Sequence, residues 1–167
     1  MMTRRELLVA VGMAGALGCA SARVDQSTRD QAYRGHIGRI VAIVMPKDDA
    51  EAVLADFLAD ELAKRRILTQ SFVIVREADL DSRRATIDAF APDAWLRVSS
   101  RERVVDQYGV LLRAHYDAGL TLTEDFERRV WRADVVYVPG ISRNTRSGMQ
   151  AVAARIAERL VADRLAD

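Results

Sequence analysis

The chain has 167 residues, half of them hydrophobic, with 25 basic and 24 acidic residues and a formal net charge of +1. That length favours a single domain with material for a real core, and the balance of charge excludes a general electrostatic pull on nucleic acid or on an anionic membrane. A lone cysteine excludes an intramolecular disulfide, so the core has to hold without a cross-link.

Residues 1–6 carry Arg4 and Arg5, and residues 7–18 (LLVAVGMAGALG) are uncharged and apolar. As a helix that run measures about 18 Å, well short of a hydrocarbon core about 30 Å thick, so it predicts a signal peptide and not a membrane span. Its removal takes away Arg4, Arg5 and Glu6 and leaves a neutral chain. Two cleavage readings compete. Ala16-Leu17-Gly18-Cys19 resembles a bacterial lipobox, with Ala16 where Leu is usual. The resemblance implies that the Cys19 thiol is acylated and that Cys19 becomes the mature N-terminus. The rival is Ala20-Ser21-Ala22, an A-x-A site that releases a soluble periplasmic protein. Each buried methylene adds about 0.8 kcal/mol, so several acyl chains anchor durably where one does not. Thr3-Arg4-Arg5-Glu6-Leu7-Leu8 also resembles a twin-arginine export signal, against the plainer reading of an ordinary n-region that holds two arginines. Residue 20 is Ala and not Asp, which under the enteric sorting rule favours the outer membrane.

Residues 20–39 are polar and aperiodic, with Gly35 and Gly38. They read as a tether, able to span roughly 65 Å when extended. Residues 40–45 (IVAIVM) form an apolar run that predicts a strand buried on both faces. Asp48 and Glu51 then make a capping-box pair for a helix whose apolar stripe is Ala50, Val53, Leu54, Phe57, Leu58 and Leu62. Residues 71–75 (SFVIV) predict a second strand, and residues 80–91 a short helix ended by Pro92. This strand–helix alternation implies parallel pairing with right-handed crossovers.

Residues 94–107, 110–123 and 128–138 read as three long strands joined by short turns, hence antiparallel neighbours. In the middle strand Leu112, Ala114, Tyr116, Ala118, Leu120 and Leu122 share one face, and Arg113, His115, Asp117, Gly119, Thr121 and Thr123 the other. In the third strand Trp131, Ala133, Val135 and Tyr137 point inward, with Arg132 and Asp134 outward. Ser147 and Gln150 resemble a capping box for a final helix with a stripe of Met149, Val152, Ala153, Ile156 and Leu160. The predicted fold is an α/β domain over residues 39–167, preceded by a lipidated Cys19 and tether over 19–38. Its order is β-α-β-α-β-β-β-α, a two-layer sandwich with the helices on one face of a mixed five-stranded sheet.

Taken with the lipobox, residues 40–45, 93–99 (DAWLRVS) and 127–133 (ERRVWRA) resemble bacterial envelope lipoproteins with a small α/β domain. The arrangement is similar to the amino-terminal domain of the Tol-system protein TolB and to LpoB-type activators of penicillin-binding proteins. The resemblance covers about residues 38–165 as architecture and carries over one functional residue, Cys19. It implies protein–protein work in the envelope and no catalysis.

No motif for nucleophilic, metal or phosphate chemistry is present, including G-x-S-x-G, H-E-x-x-H, C-x-x-C and the P-loop. Two histidines, His36 and His115, with no cysteine partner, make a metal site improbable, and no cofactor is expected. Arg97, Arg113, His115, Asp117, Arg132 and Asp134 compose either a solvated sheet face or a partner-binding patch. Ser142, Arg143, Thr145, Arg146 and Ser147 lie between a strand and a helix N-terminus, where backbone N–H groups and the helix dipole suit an anion; an ordinary loop and cap is the plainer reading. The expectation is a non-enzymatic, lipid-anchored envelope protein whose periplasmic domain binds another protein in assembly, transport or cell-wall synthesis. It reaches the membrane through lipid on Cys19, with the outer membrane favoured, and binds no nucleic acid. The alternative is a soluble or anchored periplasmic module that binds an anion or small ligand with residues 142–148.

Overall fold

The apolar run at 40–45 becomes β2 (Arg39–Met45), and the five residues between its ends are fully buried. A strand of that composition is stable only with cover on both faces. The computed structural model describes residues 21–125, 127–140 and 145–165. The first element among these residues is β1 (Ser21–Arg29), and after β2 come α1 (Asp49–Ala52), α2 (Leu54–Ala63), β3 (Leu68–Val73), α3 (Glu77–Asp81) and α4 (Arg84–Phe90). It closes with β4 (Ala94–Val105), β5 (Leu111–Thr121), β6 (Arg129–Val138) and α5 (Thr145–Ala162). One sheet of six strands results, in the order β1-β6-β5-β4-β2-β3. β2 is parallel to both β3 and β4, and the other neighbours are antiparallel.

The α/β class stands, and the strand count is six, not five. The added strand is β1, drawn from residues expected to be tether. It pairs along its length with β6, from Ser21 opposite Val138 to Arg29 opposite Trp131. An edge strand with one covered face needs few apolar side chains. Here Ala22 is buried and Val24 half-buried. Polar links to α5 do the rest: the Arg155 guanidinium donates to the Ala22 carbonyl (3.1 Å) and Arg159 Nε donates to Ser27 Oγ (2.7 Å).

The helices cover both faces of the sheet, not one. Leu54, Leu58 and Leu62 of α2 pack with Ile40, Ala42 and Val44, joined by Met149, Val152 and Ile156 of α5. Val41 and Ile43 point the other way, into a smaller cluster with Ile87, Trp95, Leu80 and Phe90 from α3, α4 and β4. The crossover rule requires this. The connection from β2 to β3 moves outward across the sheet, and the one from β3 to β4 moves back over β2. Two right-handed crossovers in opposite directions lie on opposite faces. α3 and α4 reach only the β3-β2-β4 end. In the antiparallel half the alternation holds: Ala114, Tyr116, Ala118, Leu120, Trp131, Ala133, Val135 and Tyr137 are all buried under α5.

Local signals came out with small shifts. Asp48 Oδ1 accepts from the Glu51 N–H (3.0 Å), while Glu51 Oε2 accepts from the Lys47 N–H (2.8 Å), one residue before the usual partner of a capping box. α5 starts at Thr145, so Ser147 lies inside its first turn and is not its cap. Leu112 is half-exposed because the ladder shifts register there: Val104 faces Arg113 and Val105 faces Leu111, leaving Leu112 as the extra residue of a bulge.

Glu51 is buried under β5, and its Oε1 accepts the Tyr116 hydroxyl (3.1 Å), with Arg103 at 3.9 Å. Burial first, and then the neighbouring Glu51, push the Tyr116 hydroxyl well above its ordinary value of 10.0. A raised folded value means stability that is complete below pH 10.0 and lost as the pH climbs above it, where the unfolded tyrosine sheds its proton first. Denaturation followed from neutral to strongly alkaline pH is expected to show a shallower loss in Tyr116→Phe than in the parent. The variant is also expected to be less stable near neutrality by about 1–2 kcal/mol, since Glu51 loses a donor. A second expectation concerns Gly148. A Cβ there would overlap the Tyr137 hydroxyl and ring, which are almost wholly buried. Gly148→Ala should cost about 1–3 kcal/mol in urea denaturation, despite the better helix propensity of alanine.

Candidate functional site

Beyond the reach of α3 and α4, one face of β4, β5, β6 and β1 has no helix over it among the described residues. The two-residue period of the strands places Arg97 and Ser99 of β4 on this face, with His115, Asp117, Gly119 and Thr121 of β5, Arg132 and Asp134 of β6, and Gln26 and Thr28 of β1. Register decides the neighbours. Asp117 lies opposite Ser99 on one side and Asp134 on the other, and Gly119 lies between Arg97 and Arg132.

Directly opposed carboxylates repel. Here Arg132 on the same face offsets the repulsion, its Nε 2.6 Å from Asp117 Oδ1, and His115 Nδ1 lies 3.7 Å from Asp134 Oδ1. The second distance is too long for a hydrogen bond, and Asp134 Oδ1 is buried with no hydrogen-bond donor among the described residues. Arg97 Nε points at Met45 Sδ, 3.1 Å away, where β2 meets β4.

Gly119 interrupts the layer of side chains. Above it is a depression of about 210 Å³ walled by Arg97, Ser99, Asp117, Thr121 and Arg129. A Cβ at this position would meet Arg129 Nε at 3.5 Å, so the arginine already arches over the gap. A smaller hollow of about 120 Å³ adjoins it between Arg101, Arg132, Asp134 and the β1 residues Gln26, Ser27 and Thr28. Toward α3 a larger and more apolar recess of about 450 Å³ is formed by Ile43, Met45, Ile74 and Leu80, rimmed by Asp81, Arg97 and Asp125. The face is thus a shallow, wet surface with both signs of charge. Its side chains present both hydrogen-bonding groups and charges to solvent.

No family model matches the sequence, and no curated protein matches it. Solved structures do. A PelC dodecamer from Paraburkholderia phytofirmans superposes with a TM-score of 0.50 at 14% identity, over 84% of this chain and 95% of that one. Lipoprotein GNA1162 from Neisseria meningitidis matches at 13% identity and a TM-score of 0.45, over 75% of this chain and 99% of that one. TolB from Acinetobacter baumannii matches 86% of this chain at 11% identity and a TM-score of 0.40, but only 31% of TolB is covered. At such identities the likeness is one of fold.

Arg97, His115, Asp117, Arg132 and Asp134 are gathered on one face, as the alternation predicts. Arg113 shares their side of β5 but sits near the far end of the β4–β5 hairpin, opposite Val104. Of the residues proposed for anion capture, Thr145, Arg146 and Ser147 are described. Ser142 and Arg143 lie outside the described residues, as does Cys19. Thr145, Arg146 and Ser147 belong to the first turn of α5, and the Arg146 guanidinium stacks on the Phe57 ring, 5.1 Å from its centre. Sequence reasoning missed Arg129. It reaches this face because Val130 is the extra residue of a bulge between the Leu120–Trp131 and Thr121–Arg129 pairs. The adjacent apolar pair Val130-Trp131 was the available signal, since strict alternation allows only one of the two to face inward. Among the described residues no helix is long and apolar enough to cross a membrane.

Proposed function

We propose that this chain is a non-enzymatic envelope protein, anchored by lipid on Cys19, whose domain binds another envelope protein through the open face of its sheet. The observation that supports this reading is the uneven cover of the sheet. β2 is buried on both faces, while among the described residues β4, β5, β6 and β1 present a charged face to solvent. Such a face is suited to a partner with complementary rows of charge, which sets register and suppresses wrong partners more than it adds raw affinity. The fold shared with a lipoprotein and the lipobox at residues 16–19 are consistent with an envelope setting. The PelC structure of similar fold is a dodecamer, so a second copy of this chain belongs among the partners to be tested.

Two measurements check the reading. Radiolabelled palmitate should enter the parent and not Cys19→Ala; an unlabelled parent removes the anchor. Crosslinking in intact cells followed by pulldown should return an envelope protein or a second copy with the parent. It should lose that partner with Arg113→Ala, His115→Ala and Arg132→Ala combined. The three side chains stand on an exposed face, where an ion pair such as Arg132–Asp117 adds at most about 1 kcal/mol, so the variant is expected to stay folded by circular dichroism. Equal capture by parent and variant removes the open face from the proposal.

A further inference from the structure

β1 begins at Ser21, paired with Val138 at the end of β6. Tyr137 in turn pairs with Ala114 on β5. The chain therefore enters the sheet at the end from which the β4–β5 hairpin projects. Beyond this level the hairpin adds the Val104–Arg113 and Val105–Leu111 pairs and then a turn. At about 3.3 Å per residue the tip stands roughly 10 Å past the start of β1. Cys19 precedes Ser21 by two residues in the sequence, a length of chain of at most about 7.6 Å.

The same end is apolar where a solvated hairpin has no need to be. Tyr108, at the tip, is 82% exposed, and Val105, Leu112 and Val138 are each between 43% and 50% exposed. The turn is built by other residues. Asp106 Oδ1 accepts from the Tyr108 and Val110 N–H groups at 2.8 Å, and Gly109 supplies a positive φ of 78°. Nothing in that construction asks for an aromatic ring at 108, which the turn holds out at its apex. The nearby charges are mixed, with Arg103 held by Asp48 and Glu102 and Asp106 beside Arg101 and Arg113. The tip is therefore suited to shallow apolar contact and not to electrostatic capture by anionic lipid.

We infer that the tip of the β4–β5 hairpin lies in the headgroup region of the membrane, beside the lipid on Cys19, so that the domain stands on its hairpin end. This rests on the anchored reading above. It replaces a long tether with a short, oriented attachment: one residue, Ala20, separates the acylated position from the sheet.

The test uses the full-length chain, matured and lipidated in cells and reconstituted into vesicles of phosphatidylethanolamine with a minority of phosphatidylglycerol. Tyr108→Trp places a reporter at the tip, and Leu68→Trp places one at the exposed start of β3, at the opposite end of the sheet. The native Trp95 and Trp131 are buried and set the background. With lipids brominated near the headgroup, the emission added by Tyr108→Trp should be blue-shifted and largely lost, while that added by Leu68→Trp should be unchanged. Equal quenching at both positions, or none at Tyr108→Trp, overturns the inference. So does a blue shift at Tyr108→Trp that is already complete without vesicles, which marks a protein contact at the tip. Palmitate incorporation is read in the same preparations. A labelled chain with an unquenched tip overturns the hairpin contact and leaves the anchor; an unlabelled chain overturns the anchor.

Discussion

The sheet grows outward once, from β2 to β3, and then reverses. Both crossovers are held to the same hand by the twist of the strands, and the reversal therefore places α1 and α2 on one face and α3 and α4 on the other. The rest of the molecule depends on that one turn of direction. β2 becomes the strand covered on both sides and carries the most continuous apolar run. β4 becomes a boundary, with Trp95 still under α4 and Arg97, two residues on, at the edge of the open face. Every strand added after β4 is antiparallel, and among the described residues one face of these strands is covered by α5, with Glu51 of α1 beside Tyr116. α5 lies on the α2 side, because Met149, Val152 and Ile156 complete the cluster begun by Leu54, Leu58 and Leu62. The open face is what the topology leaves over once the hydrophobic faces are satisfied.

This explains which parts of the fold were legible in the sequence. β2, the α2 stripe, the inward set of β5 and β6 and the stripe of α5 are each written in a local period, and the structure buries or half-buries those residues except Ala50 and Leu112. The position of α3 and α4 is not written locally. Their apolar residues show that the segment has a buried side, but the face it covers follows from strand order, which a single sequence does not carry. β1 was lost for a different reason. An edge strand with one covered face is held by backbone pairing to β6 and by arginines reaching from α5, and neither leaves an apolar signature of its own.

The candidate site divides in the same way. Arg97, Asp117, Arg132 and Asp134 follow from alternation alone. Arg129 and the exposure of Leu112 depend on bulges, where one extra residue reverses parity. In both cases the sequence holds two adjacent apolar residues, Val130-Trp131 and Leu111-Leu112, and the structure sends one partner of each pair to the face that the period forbids. Such doublets inside an otherwise alternating strand mark a bulge, and reading them so brings Arg129 into the depression over Gly119.

The bulges and the edge strand also bear on how the domain is presented. With β1 hydrogen-bonded along β6, residues 21–29 are part of the sheet and not a free leash, so an attachment just ahead of them would fix the direction of the strands. If that attachment is a bilayer at the hairpin end, the strands stand on end and the open face looks sideways, along the membrane surface. A partner reading Arg97, Asp117 and Arg132 would then approach laterally, as a neighbouring membrane-bound protein does, and not from the far side of the compartment. Lateral approach confines the encounter to a thin layer and raises the effective concentration of a weakly held partner. That is the regime in which a shallow, wet, charge-balanced surface, too polar to drive association by burial, suffices for specific binding.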